Sequence, residues 1–300
     1  MGNFNSWVNA ARLRTLPLSI SGILVGTVLA AYQGYFNIAV FSLALGTTLG
    51  LQILSNFAND YGDGMKGTDN ENRVGPARTL QSGLISPKEM KQGIVATAAA
   101  TLFLAILLIY TAFGSENFYF SILFFILGVA AIAAAIKYTV GSSAYGYHGL
   151  GDVFVFLFFG LVAVYGSYFL YTQQLNWIIL LPASSIGFLS AGVLNLNNLR
   201  DRLSDEITGK NTLVVKMGDK WAKNYHYSLL IGAILCFLVF SVLTAKDLND
   251  FIYVLGFIPL LLHLKRVVQN EDSTLLDPEL KILALTTFFI SGLFGLGILI

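Results

Sequence analysis

Asn59-Asp60-Tyr61-Gly62-Asp63, with Asn56 just before it and Asp69 just after, follows directly on the apolar run Phe41 to Phe57. Carboxylates are costly at the mouth of an apolar segment, so their presence there points to function. A second cluster repeats the arrangement far downstream. Asn195, Asn197, Asn198, Asp201 and Asp205 close the apolar run Trp177 to Leu194.

The runs between these clusters decide the fold. Hydrophobic residues make up 55% of the chain and charged residues 12%. An ordinary soluble domain carries roughly twice that charge. Mean hydropathy is +0.69, and several segments reach the ~20 residues that a bilayer demands. The expected class is therefore all-α: a polytopic membrane protein, a single domain over residues 1–300. Nine spans are expected, at about 16–33, 37–58, 91–113, 118–138, 152–171, 176–198, 226–244, 251–268 and 280–300. Two long polar joints, about 59–90 and 199–225, carry the motifs.

Basic residues sort onto one side of this arrangement. Seventeen of the 18 lysines and arginines fall at the N-terminus or in every second joint, and only Lys246 falls opposite. The positive-inside rule then puts the N-terminus and both aspartate clusters in the cytoplasm and Ile300 outside. The expected location is the cell (inner) membrane, with a site open to the cytoplasm. A net charge of +1 offers no field to recruit nucleic acid. The single cysteine, Cys236, has no disulfide or metal-site partner.

Asp60 and Asp63 are three apart and Asp201 and Asp205 four apart, so each pair can share a helix face. Asn56 and Asn59, and Asn195 and Asn198, sit on the preceding turns, deeper in the bilayer. Magnesium held by a few carboxylates is a phosphate-binding device. Diphosphate would bridge such metals, and Arg73, Arg78, Arg200 and Lys210 are the candidates for its remaining oxygens. The bland alternative is a set of helix caps and solvated loop charges. A third polar stretch, Lys137 to Asp152, faces the same side. Its Tyr145, Tyr147 and Asp152 can form a pocket wall for an aromatic acceptor, or an ordinary interfacial belt.

Asn59 to Asp63 with Asp69, and Asn198-Leu-Arg-Asp201-x-x-x-Asp205, resemble the two Asp-rich signatures of the UbiA-type intramembrane prenyltransferases. Three longer stretches look like the branch that prenylates 1,4-dihydroxy-2-naphthoate: Asn59 to Arg78, Tyr145 to Asp152, and Asn197 to Thr212. The third aspartate of the first motif departs from the superfamily spacing, because Gly67 stands there and Asp69 comes two later. The resemblance implies magnesium, as two ions, on Asp60, Asp63, Asp69, Asp201 and Asp205. It implies catalytic roles for those residues with Asn59 and Asn198, and diphosphate contacts from Asn56 and the basic residues above. Polyprenyl diphosphate and dihydroxynaphthoate are the implied substrates, joined with loss of carbon dioxide to give demethylmenaquinol. The rival readings are a sister enzyme using 4-hydroxybenzoate and an ion-coupled transporter. A transporter would place its charges near the midplane rather than at one end.

Overall fold

The computed structural model describes residues 2–69 and 74–300. Among these residues every regular element is helical, and nine spans are long and apolar enough to cross a membrane. The protein is a multi-pass membrane protein, as its apolar runs require. Local signals set the element ends. Asn3 caps a short helix, α1 (Phe4–Ala11), by accepting from Ser6 N. Pro17 opens α2 (Leu16–Tyr32), and Asn37 caps α3 (Ile38–Lys66). Ser86 and Glu89 form a reciprocal capping box at the start of α4 (Pro87–Phe113). The next span is α5 (Phe118–Lys137).

The fifth span is not a plain helix. It runs from α6 (Gly151–Val155) through a π-helical segment, Phe156–Gly166, into α7 (Ser167–Thr172). Such wide turns are rare and gather at functional sites. Here the wide segment lies against α8 (Leu180–Ile207), with Gly160 facing Gly187 so closely that a Cβ on Gly160 would come within 2.6 Å of the Gly187 Cα. The remaining elements are α9 (Leu213–Met217), α10 (Asp219–Thr244), α11 (Phe257–Gln269) and α12 (Asp277–Leu299). The largest apolar core gathers residues of α2, α8, α10 and α12, including Val25, Ile186, Leu230 and Leu283.

Two helices run well past the ends that the sequence suggested. α3 continues to Lys66 rather than ending near 58, and α8 continues to Ile207 rather than near 198. Asp60, Asp63, Asp201 and Asp205 are therefore helical, whereas Asp69 lies in the loop after Gly67. The loops proper begin later, at Gly67 and Thr208. Cationic side chains from other elements meet these aspartates, so the helices have no reason to break before Gly67, whose φ of 73° ends α3. Gly62 has a separate role, because α3 runs against Thr139 there. Thr139 Oγ1 donates to Ala58 O at 2.9 Å, and a Cβ on Gly62 would lie 2.7 Å from the Thr139 carbonyl carbon. Gly62→Ala is expected to cost about 1–3 kcal/mol by overpacking. Thermal unfolding in detergent checks this, with Gly292→Ala, which meets nothing within 4 Å, as the neutral control.

Candidate active site

A cavity of about 490 Å³ lies among α2, α3, α5, the π-helical segment and α8. Its deep part is apolar, lined by residues such as Ile23, Ala44, Leu108, Phe124 and Phe159. Its other end is charged and holds Asp63, Asp69, Arg78, Arg200, Asp201, Asp205 and Lys210. One face of α8 supplies Ser190, Val193, Asn197, Asp201 and Ser204 to the wall, at helical spacing.

Lys210 joins the two clusters. Its Nζ lies 3.3 Å from Asp63 Oδ2 on α3 and 3.8 Å from Asp205 Oδ1 on α8. Burial alone would lower its pKa, but Asp63 and Asp205 outweigh that and hold it above the ordinary lysine value. The two aspartates of the first cluster take different partners. Asp63 Oδ1 accepts from the Tyr147 hydroxyl at 2.8 Å. Asp60, 1% exposed, pairs with Arg12, lies 3.6 Å from Arg78 Nη1 and accepts from Thr79 Oγ1 at 3.2 Å. Arg78 also reaches Asp69 at 3.8 Å. Burial, with Arg12 beside it, brings the Arg78 guanidinium down to about 10, which leaves it charged at neutral pH.

The second cluster is organised by Arg200, 3% exposed. It grips Asp201 with two bonds, of 2.8 and 2.6 Å, touches Asn197 at 3.0 Å and pairs with Asp277 of α12. Such forked pairs fix direction as well as charge.

The asparagines divide. Asn59 lines the cavity, its Oδ1 accepting from Thr139 at 3.3 Å. Asn198 is buried with its Oδ1 lacking a protein partner. Asn56 turns away from the cavity: its amide donates to Ala11 O at 2.8 Å and Thr15 at 3.2 Å, tying α1 to α3. Asn195 turns to α10, donating to Ala222 O at 3.0 Å. Arg73 lies outside the described residues.

Of the three expected acceptor residues, Tyr145 lines the cavity, beside Tyr138 and Phe154. Its ring stacks on Phe154 with centroids 4.0 Å apart. Tyr147 belongs to the charged end instead. Besides Asp63 it meets Thr68 at 2.6 Å, with Lys66 3.7 Å above its ring. Burial raises the pKa of both phenols, so both stay protonated at neutral pH. Asp152 is 5% exposed and lies off the cavity, its Oδ1 without a protein partner.

Sequence reasoning missed Arg12, Thr79, Tyr138 and Asp277. Arg12 was legible only as a charge on one membrane side. Nothing in the spacing of Asp277 links it to Arg200.

Among the described residues no three His, Cys, Asp or Glu converge on one point. The donors available at the charged end are nonetheless the right kind for a hard divalent cation. They are carboxylate oxygens of Asp63, Asp69, Asp201 and Asp205; the unpartnered amide oxygen of Asn198 lies three residues before Asp201 on α8, off the cavity lining. Lys210 already accommodates one positive charge between the clusters.

The UbiA prenyltransferase family model matches residues 19–294. The chain belongs to that family, and is a prenyltransferase of the inner membrane. It is 44% identical to the 1,4-dihydroxy-2-naphthoate octaprenyltransferase of Haemophilus influenzae, over 98% of this chain and 96% of that one. It is 42% identical to the enzyme of the same description from Escherichia coli K12, over 98% and 94%. Its fold is similar to that of a UbiA homologue from Archaeoglobus fulgidus, solved with GPP and Mg2+. The TM-score is 0.65 at 17% identity, covering 95% of this chain and 99% of that one.

Lys210→Met tests the junction of the clusters. It strands Asp63 and Asp205 in a buried setting, and breaking such a pair costs about 3–5 kcal/mol. A large fall in melting temperature is expected, partly reversed by Asp205→Asn in the same chain.

Proposed function

We propose that the protein transfers a polyprenyl group from its diphosphate to 1,4-dihydroxy-2-naphthoate, releasing carbon dioxide and giving demethylmenaquinol. The observation that carries this reading is the cavity: one charged end built from both aspartate clusters, continuous with an apolar interior. Near full-length similarity to two naphthoate octaprenyltransferases supports the acceptor.

The charged end would receive the diphosphate. Arg78, Arg200 and Lys210 offer donors to its oxygens, and Arg73, which precedes Arg78 in the same motif, is the fourth candidate. Magnesium, as two ions held by Asp60, Asp63, Asp69, Asp201 and Asp205 with Asn59 and Asn198 close by, would neutralise the charge on the leaving group. Arg12 and Arg78, now on Asp60, would shift from carboxylate to phosphate as the site fills. Tyr147 holds Asp63 in place. The prenyl carbon left behind is allylic-cation-like, and the apolar interior keeps water from capturing it. Tyr138, Tyr145 and Phe154 present ring faces that can stack on a naphthalene and stabilise nearby positive charge. The acceptor's ring hydroxyls make its carbon electron-rich. An aspartate of the second cluster is the base within reach of the cavity, whereas Asp152 lies off its lining.

The sorting of basic residues supports a cytoplasmic site, with the N-terminus inside and the C-terminus outside. A Gly75→Cys variant, with Cys236 replaced, should label only from the cytoplasmic face of oriented vesicles. Labelling from outside would overturn the orientation.

Turnover of purified enzyme with a panel of acceptors tests the reaction itself. With polyprenyl diphosphate as donor, prenylated product, diphosphate and carbon dioxide are expected from dihydroxynaphthoate and magnesium, and no prenylated product from 4-hydroxybenzoate or in EDTA. Asp63→Asn and Asp201→Asn should each lower kcat by about a hundredfold or more. Preference for 4-hydroxybenzoate would make the protein the sister enzyme. Full activity without divalent metal would contradict the diphosphate mechanism.

A further inference from the structure

Four ionisable side chains form a row on α10, α11 and α12, outside the cavity lining. His226 of α10 and His263 of α11 are both 0% exposed, and Glu279 of α12 is 7% exposed. His226 Nε2 lies 3.0 Å from His263 Nε2, and His263 Nδ1 lies 2.6 Å from Glu279 Oε2. Arg266 closes the row, donating to Glu279 from Nε at 2.5 Å and from Nη2 at 3.1 Å.

The bonding pattern assigns the protons. Glu279, held by two guanidinium bonds, is a carboxylate and only accepts, so His263 donates from Nδ1. In a neutral ring His263 Nε2 is then an acceptor, and His226 donates to it from Nε2. The row is neutral overall, with one carboxylate matched to one guanidinium. Buried polar groups of this kind add little stability over apolar packing. Their best-attested use is to fix which elements meet and in what register.

Two of the helices that the row joins, α10 and α12, pack against α8, which carries the second cluster. The face of α8 opposite the cavity wall packs on α10 and α12. A Cβ on Gly192 would come 3.6 Å from His226 Cε1 and 3.4 Å from Leu283 of α12. One turn along, Asn195 donates to Ala222 O, one turn before His226. At the other end of the row, Glu279 shares the first turn of α12 with Asp277, which pairs with Arg200. That turn therefore grips Arg200 with one carboxylate. Its other carboxylate is itself gripped, through His263, by His226.

We propose that His226 is a positioning residue for the diphosphate site. Through His263 and Glu279 it sets the first turn of α12, which places Asp277 and so aims the Arg200 guanidinium into the charged end of the cavity. The proposal rests on the diphosphate role given to Arg200 above.

The test compares two substitutions in the full chain in nanodiscs. His226→Leu removes the donor to His263. His226→Gln keeps an amide nitrogen near the position of Nε2. Calorimetry reads the Kd for inorganic diphosphate with magnesium, and thermal unfolding reads the fold. His226→Leu is expected to weaken binding about tenfold, in the range of coupling carried through packed networks, while His226→Gln stays within about twofold of the unsubstituted protein. Asp277→Asn should weaken binding as much as His226→Leu, and the double variant no further, because both act through one contact. Glutamine as damaging as leucine, leucine without effect, or fully additive losses would overturn the proposal. If His226→Leu does not fold, His226→Asn, whose amide falls short of His263, replaces it in the comparison with glutamine. Failure of the unsubstituted protein to bind diphosphate would count against the proposed function instead. The row has its own readout, because the chain has only 3 histidines. Imidazole 15N spectra should show neutral His263 protonated on Nδ1 and neutral His226 on Nε2. An imidazolium at either position would overturn the assignment.

Discussion

The ammonium of Lys210, held between Asp63 on α3 and Asp205 on α8, is the interaction on which the rest of the site depends. Each aspartate-bearing helix end is apolar behind and acidic in front. Brought together without a cation, the two ends would repel in a setting that screens charge poorly. Lys210 lies beyond the end of α8, after the left-handed Gly209, which turns the chain back so that Lys210 N bonds Asp205 O at 2.8 Å. The turn thus delivers the cation to the acid of its own helix and to that of α3 at once. The same logic repeats outward: Arg12 and Arg78 hold Asp60, and Arg200 holds Asp201 and Asp277. Each is a cation that a diphosphate could take over as the carboxylates pass to magnesium.

The division of the cavity follows from the same placement. Charge gathers where both helices end, so the interior behind it is left to apolar and aromatic side chains. A polyprenyl diphosphate has this division in its own structure. Its head demands cations and its tail demands hydrocarbon, so a membrane-embedded site meets both without exposing the reacting carbon to water. The π-helical turns of the fifth span belong to this arrangement. Phe158, Phe159 and Val162 from that segment line the interior, while Gly160 meets α8 on the other side.

Much of this was legible in the sequence because the bilayer imposes a strict rule. An apolar run of spanning length must be helical, so the spans and the all-α class followed from counting. Asp63, Asp201, Asp205, Arg200 and Lys210 were legible because charges at the mouth of such runs are expensive. Partner choice was not legible. Spacing put Asp60 and Asp63 on one face, yet the roughly 60° that three helical steps leave between them is enough to send Asp60 toward Arg12 and Asp63 toward Lys210. Asn56 and Asn195 look like ligands in the motif, but their amides satisfy backbone carbonyls of α1 and α10. Tyr147 looks like an aromatic wall, and only its contact with Asp63 shows that it serves the charged end. These are choices made between elements far apart in the chain, which periodicity does not carry.

The central claim is that the two aspartate clusters form one diphosphate site rather than two. The most direct measurement is the binding stoichiometry of an unreactive prenyl thiodiphosphate, with magnesium, to the protein in nanodiscs. It would be repeated on Asp63→Asn and on Asp205→Asn. One molecule bound per chain, with binding lost in both variants, is the expected result. Two independent sites, or a variant in either cluster that binds as well as the unsubstituted protein, would contradict it.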